Sequence, residues 1–151
     1  MKSAKTGKYC CLDDNNRNKK QVECDDSCGS NHKFHALSNA DDIIINKGAS
    51  NPQDRCAIWS SDHKGFLNIG LNGGNTLQKA GEDKRKANDN RLYFKASDAG
   101  NGKVRIMNMG GQKCLRLHSN RQIKGEECSG LTNCPNCVFE LEAVDSYGGI
   151  V

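Results

Sequence analysis

The stretch QKCLRLHSNRQIKGEEC, residues 112–128, has a counterpart near the other end of the chain, KYCCLDDNNRNKKQVEC, residues 8–24. The two stretches have the same length, and each contains a pair of cysteines at the same separation. Laid over each other without a gap, they match at six of seventeen positions: Cys10/Cys114, Asn16/Asn120, Arg17/Arg121, Lys20/Lys124, Glu23/Glu127 and Cys24/Cys128. Such internal similarity predicts a structural unit that the chain uses more than once.

The composition favours many short elements over long helices. The chain has 151 residues, about the size of one domain, of which 35% are hydrophobic and 5% aromatic. Its 16 glycines and many Asn and Asp residues suit tight reversals of the backbone. The longest aliphatic run is Ile43 to Ile45, far short of the roughly 18 to 20 apolar residues of a membrane span, so no membrane insertion is expected.

The charge pattern does not point to nucleic acid. The formal net charge is +4, and the basic cluster KAGEDKRKAN, residues 79–88, is interrupted by Glu82 and Asp83. A run of this kind is typical of a solvated loop. Binding to nucleic acid or heparin needs several contacts from one concentrated positive face. Nucleic acid is therefore not expected as a partner, and heparin binding is a minority interpretation.

The cysteine count favours a secreted protein. Nine cysteines are more than an ordinary cytosolic enzyme uses, and disulfides persist in oxidising compartments. The N-terminal segment MKSAKTGK lacks the apolar core of a signal peptide. We therefore expect a mature extracellular domain with an added Met, and an intracellular protein is the alternative.

Eleven segments have the features of β-strands. Apolar residues alternate in several of them, as at Val104 and Ile106 or at Leu115 and Leu117, which is the period of a half-buried strand. The predicted strands are 9–12, 21–24, 33–37 and 56–60 in a first unit; 66–69, 76–79, 92–96 and 104–108 in a second; and 114–117, 125–128 and 138–141 in a third. The sequence therefore predicts an all-β protein.

Each unit also places one phenylalanine after a turn-rich stretch. These residues are Phe34, Phe94 and Phe139, and we expect them to be buried together. Two long insertions, 39–54 and 81–90, break the similarity between the units and are predicted to be exposed loops.

Three copies of a four-stranded unit, at about 8–60, 64–108 and 112–151, resemble the β-trefoil fold. Within that fold, Cys11-Leu12-Asp13 followed by Cys24, and Cys114-Leu115 followed by Cys128, look like the Cys-Leu-Asp…Cys pattern of ricin-type lectin repeats. The phenylalanines stand where that family has the Trp of its Gln-x-Trp signature. The resemblance implies a single domain over residues 1–151, closed into a barrel with three pseudo-symmetric repeats.

The resemblance also implies a carbohydrate-binding module with a carbohydrate or glycoprotein as its partner. In the first copy, Asp13 or Asp14 stands at the acidic position of the family's sugar site, and Asn31 with His32 stands at the amide position. Val22 occupies the place of the stacking aromatic. In the alternative interpretation, Asp13 to Asn16 form an Asp/Asn-rich turn that hydrogen-bonds local backbone.

The third copy departs further from the family's site. His118 stands at the acidic position, Glu126 at the aromatic position and Asn136 at the amide position. We therefore expect at most one sugar site, in the first copy.

Disulfides are the expected use of most cysteines, with Cys10 or Cys11 paired with Cys24, and Cys114 with Cys128. CPNC at 134–137, together with Cys28, has spacing that also suits zinc or redox chemistry. The odd count leaves one thiol, for which Cys56 on an apolar strand is the candidate. No H-E-x-x-H or G-x-S-x-G motif occurs, so neither an enzyme, a metal nor a cofactor is expected.

A second hypothesis comes from a different functional class. A secreted trefoil can act as a protein ligand of the cytokine, growth-factor or protease-inhibitor kind, with exposed loops as the binding surface. The insertions 39–54 and 81–90 favour this hypothesis, and a cell-surface protein is the partner class it implies.

Overall fold

The structure is a computed structural model. It describes residues 1–12, 21–29, 34–38, 56–60, 65–70, 75–80, 90–110, 112–119, 121–129 and 133–141.

The described residues form twelve β-strands and two short 3-10 helices. The strands are, in chain order, β1 Lys2–Ser3, β2 Cys10–Leu12, β3 Val22–Cys24, β4 Phe34–Ser38, β5 Cys56–Ser60, β6 Gly65–Ile69, β7 Leu77–Lys79, β8 Tyr93–Gly100, β9 Lys103–Asn108, β10 Lys113–Leu117, β11 Ile123–Glu127 and β12 Phe139–Glu140. The 3-10 helices are Asn90–Leu92 and Pro135–Cys137. The predicted all-β class is correct, and every predicted strand overlaps an observed one.

All strand pairs are antiparallel. The main sheet runs β1-β12-β9-β8-β5-β6-β7, with β10 attached to β9, β11 attached to β10, and β4 attached to β5. The pair β2–β3 forms a separate hairpin. The two-residue strand β1, which the sequence pattern did not reveal, pairs Lys2 with Glu140 and Ser3 with Phe139, so it joins the N-terminus to the end of the sheet.

Three hairpins, β2–β3, β6–β7 and β10–β11, meet through their second strands. Isolated bridges connect Gln21 with Gln78, Thr76 with Lys124 and Glu23 with Gln122, so each hairpin touches the other two. Val22, Leu77 and Ile123 lie at the equivalent place in the three hairpins, and each is completely buried. The apolar position after each bridge therefore fills the space where the hairpins meet.

The main core lies between the hairpins and the sheet. Its largest side chains include Phe94 and Phe139, which are 1% and 0% exposed. Phe34 is partly buried and packs against the same cluster. A smaller cluster contains Phe66 and Tyr93 with Trp59 against it, and the rings of Trp59 and Phe66 meet edge to face at 4.9 Å.

Four disulfides cross-link the described chain: Cys10–Cys24, Cys11–Cys28, Cys114–Cys128 and Cys134–Cys137. They include both pairs favoured from the sequence, with Cys10 rather than Cys11 as the partner of Cys24. The CPNC cysteines bond to each other, and the described residues contain no group of three potential metal ligands. The side chain of Cys56, the predicted free thiol, lies outside what the structure describes, so that prediction is not tested. Four disulfides are typical of an oxidising compartment, which agrees with an extracellular location.

The structure does not show the predicted trefoil of three pseudo-symmetric four-stranded repeats. Among the described strands, the sheet path has two ends and is not closed into a barrel, and only one strand, β12, follows the third hairpin. The two cysteine hairpins also differ in register. Cys10 lies directly opposite Cys24, whereas Cys114 lies opposite Glu126 and is bonded to Cys128. Sequence identity between the two stretches therefore did not guarantee equal pairing.

No helix in the described ranges is long and apolar enough to cross a membrane.

Candidate functional site

The four sugar-binding residues predicted in the first copy, Asp13, Asp14, Asn31 and His32, lie outside the residues that the structure describes. That site stays a prediction. The structure does place Val22, which stands at the aromatic position of the implied site, at 0% exposure in the core. Val22 therefore offers no surface for a sugar ring.

A polar cluster lies on the third hairpin instead. We call it the Glu126 cluster, formed by Arg116, His118, Glu126 and Asn136. Arg116 Nη1 lies 3.0 Å from Glu126 Oε2, and His118 Nε2 lies 2.7 Å from Glu126 Oε1. The contact at His118 is an ion pair when the imidazole is protonated. The carboxylate is thus held from both sides.

Strand alternation places these side chains. In β10, Leu115 and Leu117 face the core at 0% and 5% exposure, so the intervening Arg116 faces outward. A turn follows, in which His118 N donates to Gln122 O and Arg121 N donates to His118 O, both at 2.9 Å. This turn fixes His118 at the end of the strand.

Asn136 reaches the cluster from a different part of the chain. It lies in the 3-10 helix Pro135–Cys137, whose C-terminal residue is bonded to Cys134. The side-chain Nδ2 of Asn136 donates to the carbonyl of Leu117 at 3.0 Å, next to His118. The disulfide and this hydrogen bond hold the amide beside the third hairpin.

The cluster is half-exposed, and Glu126 contacts both Arg116 and His118 within it. The side chains of Arg116, His118 and Glu126 are 41%, 30% and 31% exposed. A carboxylate can accept about four hydrogen bonds and a guanidinium can donate five. Both groups therefore keep capacity for an incoming polar ligand after they have contacted each other.

The sequence alignment had placed His118, Glu126 and Asn136 at the three positions of a sugar site, but it predicted no site there because the residue types differ from the family's. The structure brings His118 and Glu126 into contact, and Asn136 binds the carbonyl of Leu117, the residue before His118. Arg116 was missed altogether. The alternation in β10 could have identified it. Arg116 stands between two apolar residues, so it is expected on the outer face, and it lies two positions before His118.

A second polar group, around Asp25, links two hairpins. Asp25 is 7% exposed, and its Oδ1 accepts hydrogen bonds from the hydroxyl and the backbone N–H of Ser27, the latter at 2.9 Å. Arg121 Nη1 lies 3.8 Å from Oδ2. The Ser27 hydroxyl holds the pKa of Asp25 below its ordinary value, with help from the Ser27 N–H and the charge of Arg121 and against the opposing effect of burial. These contacts join the β2–β3 and β10–β11 hairpins, so their role is structural.

The chain matches no family model, and no curated protein matches it in sequence. In fold it is similar to a salivary protein from Culex quiquefasciatus that belongs to the Cysteine and Tryptophan-Rich (CWRC) family, with a TM-score of 0.68 and 15% sequence identity over 92% of this chain and 87% of that chain. This chain has nine cysteines but a single tryptophan, Trp59.

The resemblance to ricin-type β-trefoil lectin domains is therefore wrong. The similarity in fold that is found is to this salivary protein, and the described strands do not form three four-stranded repeats closed into a barrel. The cysteine pattern that suggested the lectin repeat also pairs differently, because Cys11 is bonded to Cys28 and not to Cys24. What the comparison supports for this chain is a shared disulfide-containing β-fold.

Proposed function

We propose that the protein is a secreted binding protein without catalytic activity, and that it binds carbohydrate through the Glu126 cluster. The observation that carries the proposal is the carboxylate of Glu126, which lies between Arg116 and His118 at about one-third exposure. The amide of Asn136 is held nearby, on the carbonyl of Leu117. The similarity in fold to a salivary protein and the four disulfides support a secreted location.

The chemistry of the cluster suits sugar hydroxyls. Two neighbouring hydroxyls of a sugar each need a donor and an acceptor, and planar carboxylate, guanidinium, imidazole and amide groups supply them in fixed directions. Since Arg116 and His118 already hold Glu126 in place, little side-chain freedom is lost when a sugar binds. The described part of the cluster has no aromatic ring to stack on a sugar, so the affinity should be weak, in the millimolar range.

The test begins with a glycan array of the purified protein and continues with an NMR titration of the best sugar. Glu126→Gln keeps the size of the side chain but removes its charge. We expect it to weaken binding by about 1.5–3 kcal/mol, the scale of a hydrogen bond to a charged group, or roughly 10- to 150-fold. The largest amide shifts should lie at 116–118, 126 and 136.

Glu127→Gln is the matched control. Glu127 is the next residue along β11, its side chain is 75% exposed, and it pairs with Lys113 away from the cluster. It should leave sugar binding unchanged. Neither substitution should change the free energy of unfolding by more than about 1 kcal/mol, because both break exposed ion pairs.

Two outcomes would overturn the assignment of this site. If Asp13→Asn abolishes sugar binding and Glu126→Gln does not, the site lies in the first copy, as the sequence predicted. If no sugar causes shifts anywhere, the carbohydrate proposal fails, and a protein ligand that acts through the loops 39–54 and 81–90 becomes the better hypothesis.

A further inference from the structure

A separate cavity of about 400 Å³ opens on the outer face of strands β8, β9 and β10. The strand register arranges the lining residues in two rows across the sheet. In the first row, Lys95 lies opposite Met107, and Met107 lies opposite Cys114. In the second row, Ser97 lies opposite Arg105. The side chains on the opposite face of β9 pack in the core, where Ile106 is 3% exposed. The cavity is within the range of about 300–1,000 Å³ that small-molecule sites occupy.

Sulfur atoms form one wall of this cavity. Cys114 and Cys128 line it as one disulfide, and Cys137 lines it from the disulfide that closes the CPNC loop. Met107 adds a thioether, which is polarizable and adapts its shape to what it contacts. These groups give the cavity a mainly apolar surface, and two cross-links hold it in place.

The charged groups among the described residues of the lining are all of one sign. Lys95 is exposed and Arg105 is half-buried, and both line the cavity on adjacent rows of the sheet. No acidic side chain occurs among the described residues that line it. The register places Glu126 opposite Cys114, and its carboxylate contacts Arg116 and His118.

From this combination we infer that the cavity binds a small organic anion with an apolar body, such as a medium-chain carboxylate. The carboxylate lies against Lys95 and Arg105, and a guanidinium matches a carboxylate in shape as well as in charge. The hydrocarbon lies on Met107 and the disulfides, where it displaces water from apolar surface. Nothing in this inference depends on carbohydrate binding, since the Glu126 cluster does not line the cavity.

Octanoate is a suitable probe, and 1-octanol is the neutral compound of the same length. The chain has three methionines, Met1, Met107 and Met109, so protein labelled with ¹³C at the methionine methyl groups gives three reporter signals. We expect millimolar octanoate to shift the Met107 signal in a saturable way and to leave the Met1 signal unchanged. Octanol should bind at least fivefold more weakly, and the preference for octanoate should shrink at high salt because Lys95 is exposed.

Lys95→Ala should weaken octanoate binding about 5- to 10-fold and leave octanol binding unchanged. Lys8→Ala is the matched control, since it removes the same charge from a lysine outside the cavity that pairs with Asp26. A second variant, Ser97→Trp, places a large ring over an exposed position of the lining and should abolish the Met107 shift while the core is unaffected. Both substitutions are at exposed positions, so retained strand signals in the same spectra verify the fold.

The inference is overturned if octanoate leaves the Met107 signal unmoved, or if octanol binds as tightly as octanoate. Equal losses in Lys95→Ala and Lys8→Ala would also overturn it, because they would indicate attraction to the net charge of the protein and not to this cavity. A failed sugar titration leaves these results unaffected, so the two proposals are tested separately.

Discussion

The disulfides Cys10–Cys24 and Cys114–Cys128 allow the effect of burial to be separated from the effect of cross-linking. Both join cysteines 14 residues apart, so both close loops of equal length. The entropy lost by the unfolded chain is therefore the same for each, about 3 kcal/mol for a loop of roughly 15 residues. Replacing both cysteines of a pair by Ala removes the cross-link and introduces no polar atom.

The surroundings of the two pairs differ. Cys10 and Cys24 are 0% and 1% exposed within the main core, whereas Cys114 and Cys128 are half-buried on the outer face. Deleting two buried sulfur atoms leaves a void of roughly 50 Å³, and at about 24 cal/mol per Å³ the void costs about 1.2 kcal/mol. We therefore expect a loss of about 4–5 kcal/mol for the Cys10/Cys24 double variant and about 3 kcal/mol for the Cys114/Cys128 double variant.

Urea unfolding followed by fluorescence of Trp59, the single tryptophan, measures both losses. Alkylation and intact mass should show that the other three disulfides remain formed in each variant. The slope of the urea dependence must be compared as well, because a missing cross-link also expands the unfolded chain. The reasoning is refuted if the Cys114/Cys128 variant loses as much stability as the Cys10/Cys24 variant, or more.

Two further predictions concern buried polar groups. Asp25→Asn should lower the free energy of unfolding by about 1–2 kcal/mol at neutral pH, because the carboxylate loses its charge-assisted bonds to Ser27. The lowered pKa of Asp25 stabilises the fold fully above the ordinary value of 3.8, and this contribution disappears as the pH falls through the lower folded pKa. Urea titrations should show that the difference in unfolding free energy between variant and wild type is constant above the ordinary pKa value of 3.8 and shrinks as the pH falls below it. A difference that stays constant at low pH would contradict the prediction. Asn108→Ala removes a fully buried amide whose Nδ2 donates to Arg91 O at 2.8 Å and whose Oδ1 accepts from Gly110 N at 3.1 Å. A loss of about 2–3 kcal/mol is expected, with faster hydrogen exchange at Gly110, and an unchanged exchange rate would contradict it.

Local patterns predicted the strands well because strand alternation is itself a local property. Leu115 and Leu117 alternate with Arg116, and the structure buries the two leucines and exposes the arginine. Phe94 and Phe139 were expected in the core from their place after turn-rich stretches, and both are there. In these cases the residue's own neighbours decide which face it occupies.

Register and long-range pairing could not be predicted in this way. The sequence left Cys10 and Cys11 as equal candidates for Cys24, because adjacent residues of a strand point to opposite faces and only the pairing with β3 decides between them. The partner of Cys11, Cys28, lies beyond that strand. The Glu126 cluster was not predicted for a related reason: Asn136 approaches the third hairpin from a separate 3-10 helix, and that long-range contact is not visible in the local sequence.

Both proposed sites lie on one face of the sheet, and the core explains why. Phe94, Ile106 and Ile123 fill the inner positions of β8, β9 and β11, so the outer positions of the same strands are the ones available for binding. On that outer face the row from Lys95 to Glu126 changes from positive to negative charge, with the Cys114–Cys128 disulfide between the two ends. The disulfide therefore separates a cationic apolar cavity from a carboxylate-centred cluster. Its removal should open the cavity wall and weaken octanoate binding, whereas Glu126 should keep its contacts with Arg116 and His118, which do not pass through the sulfur atoms.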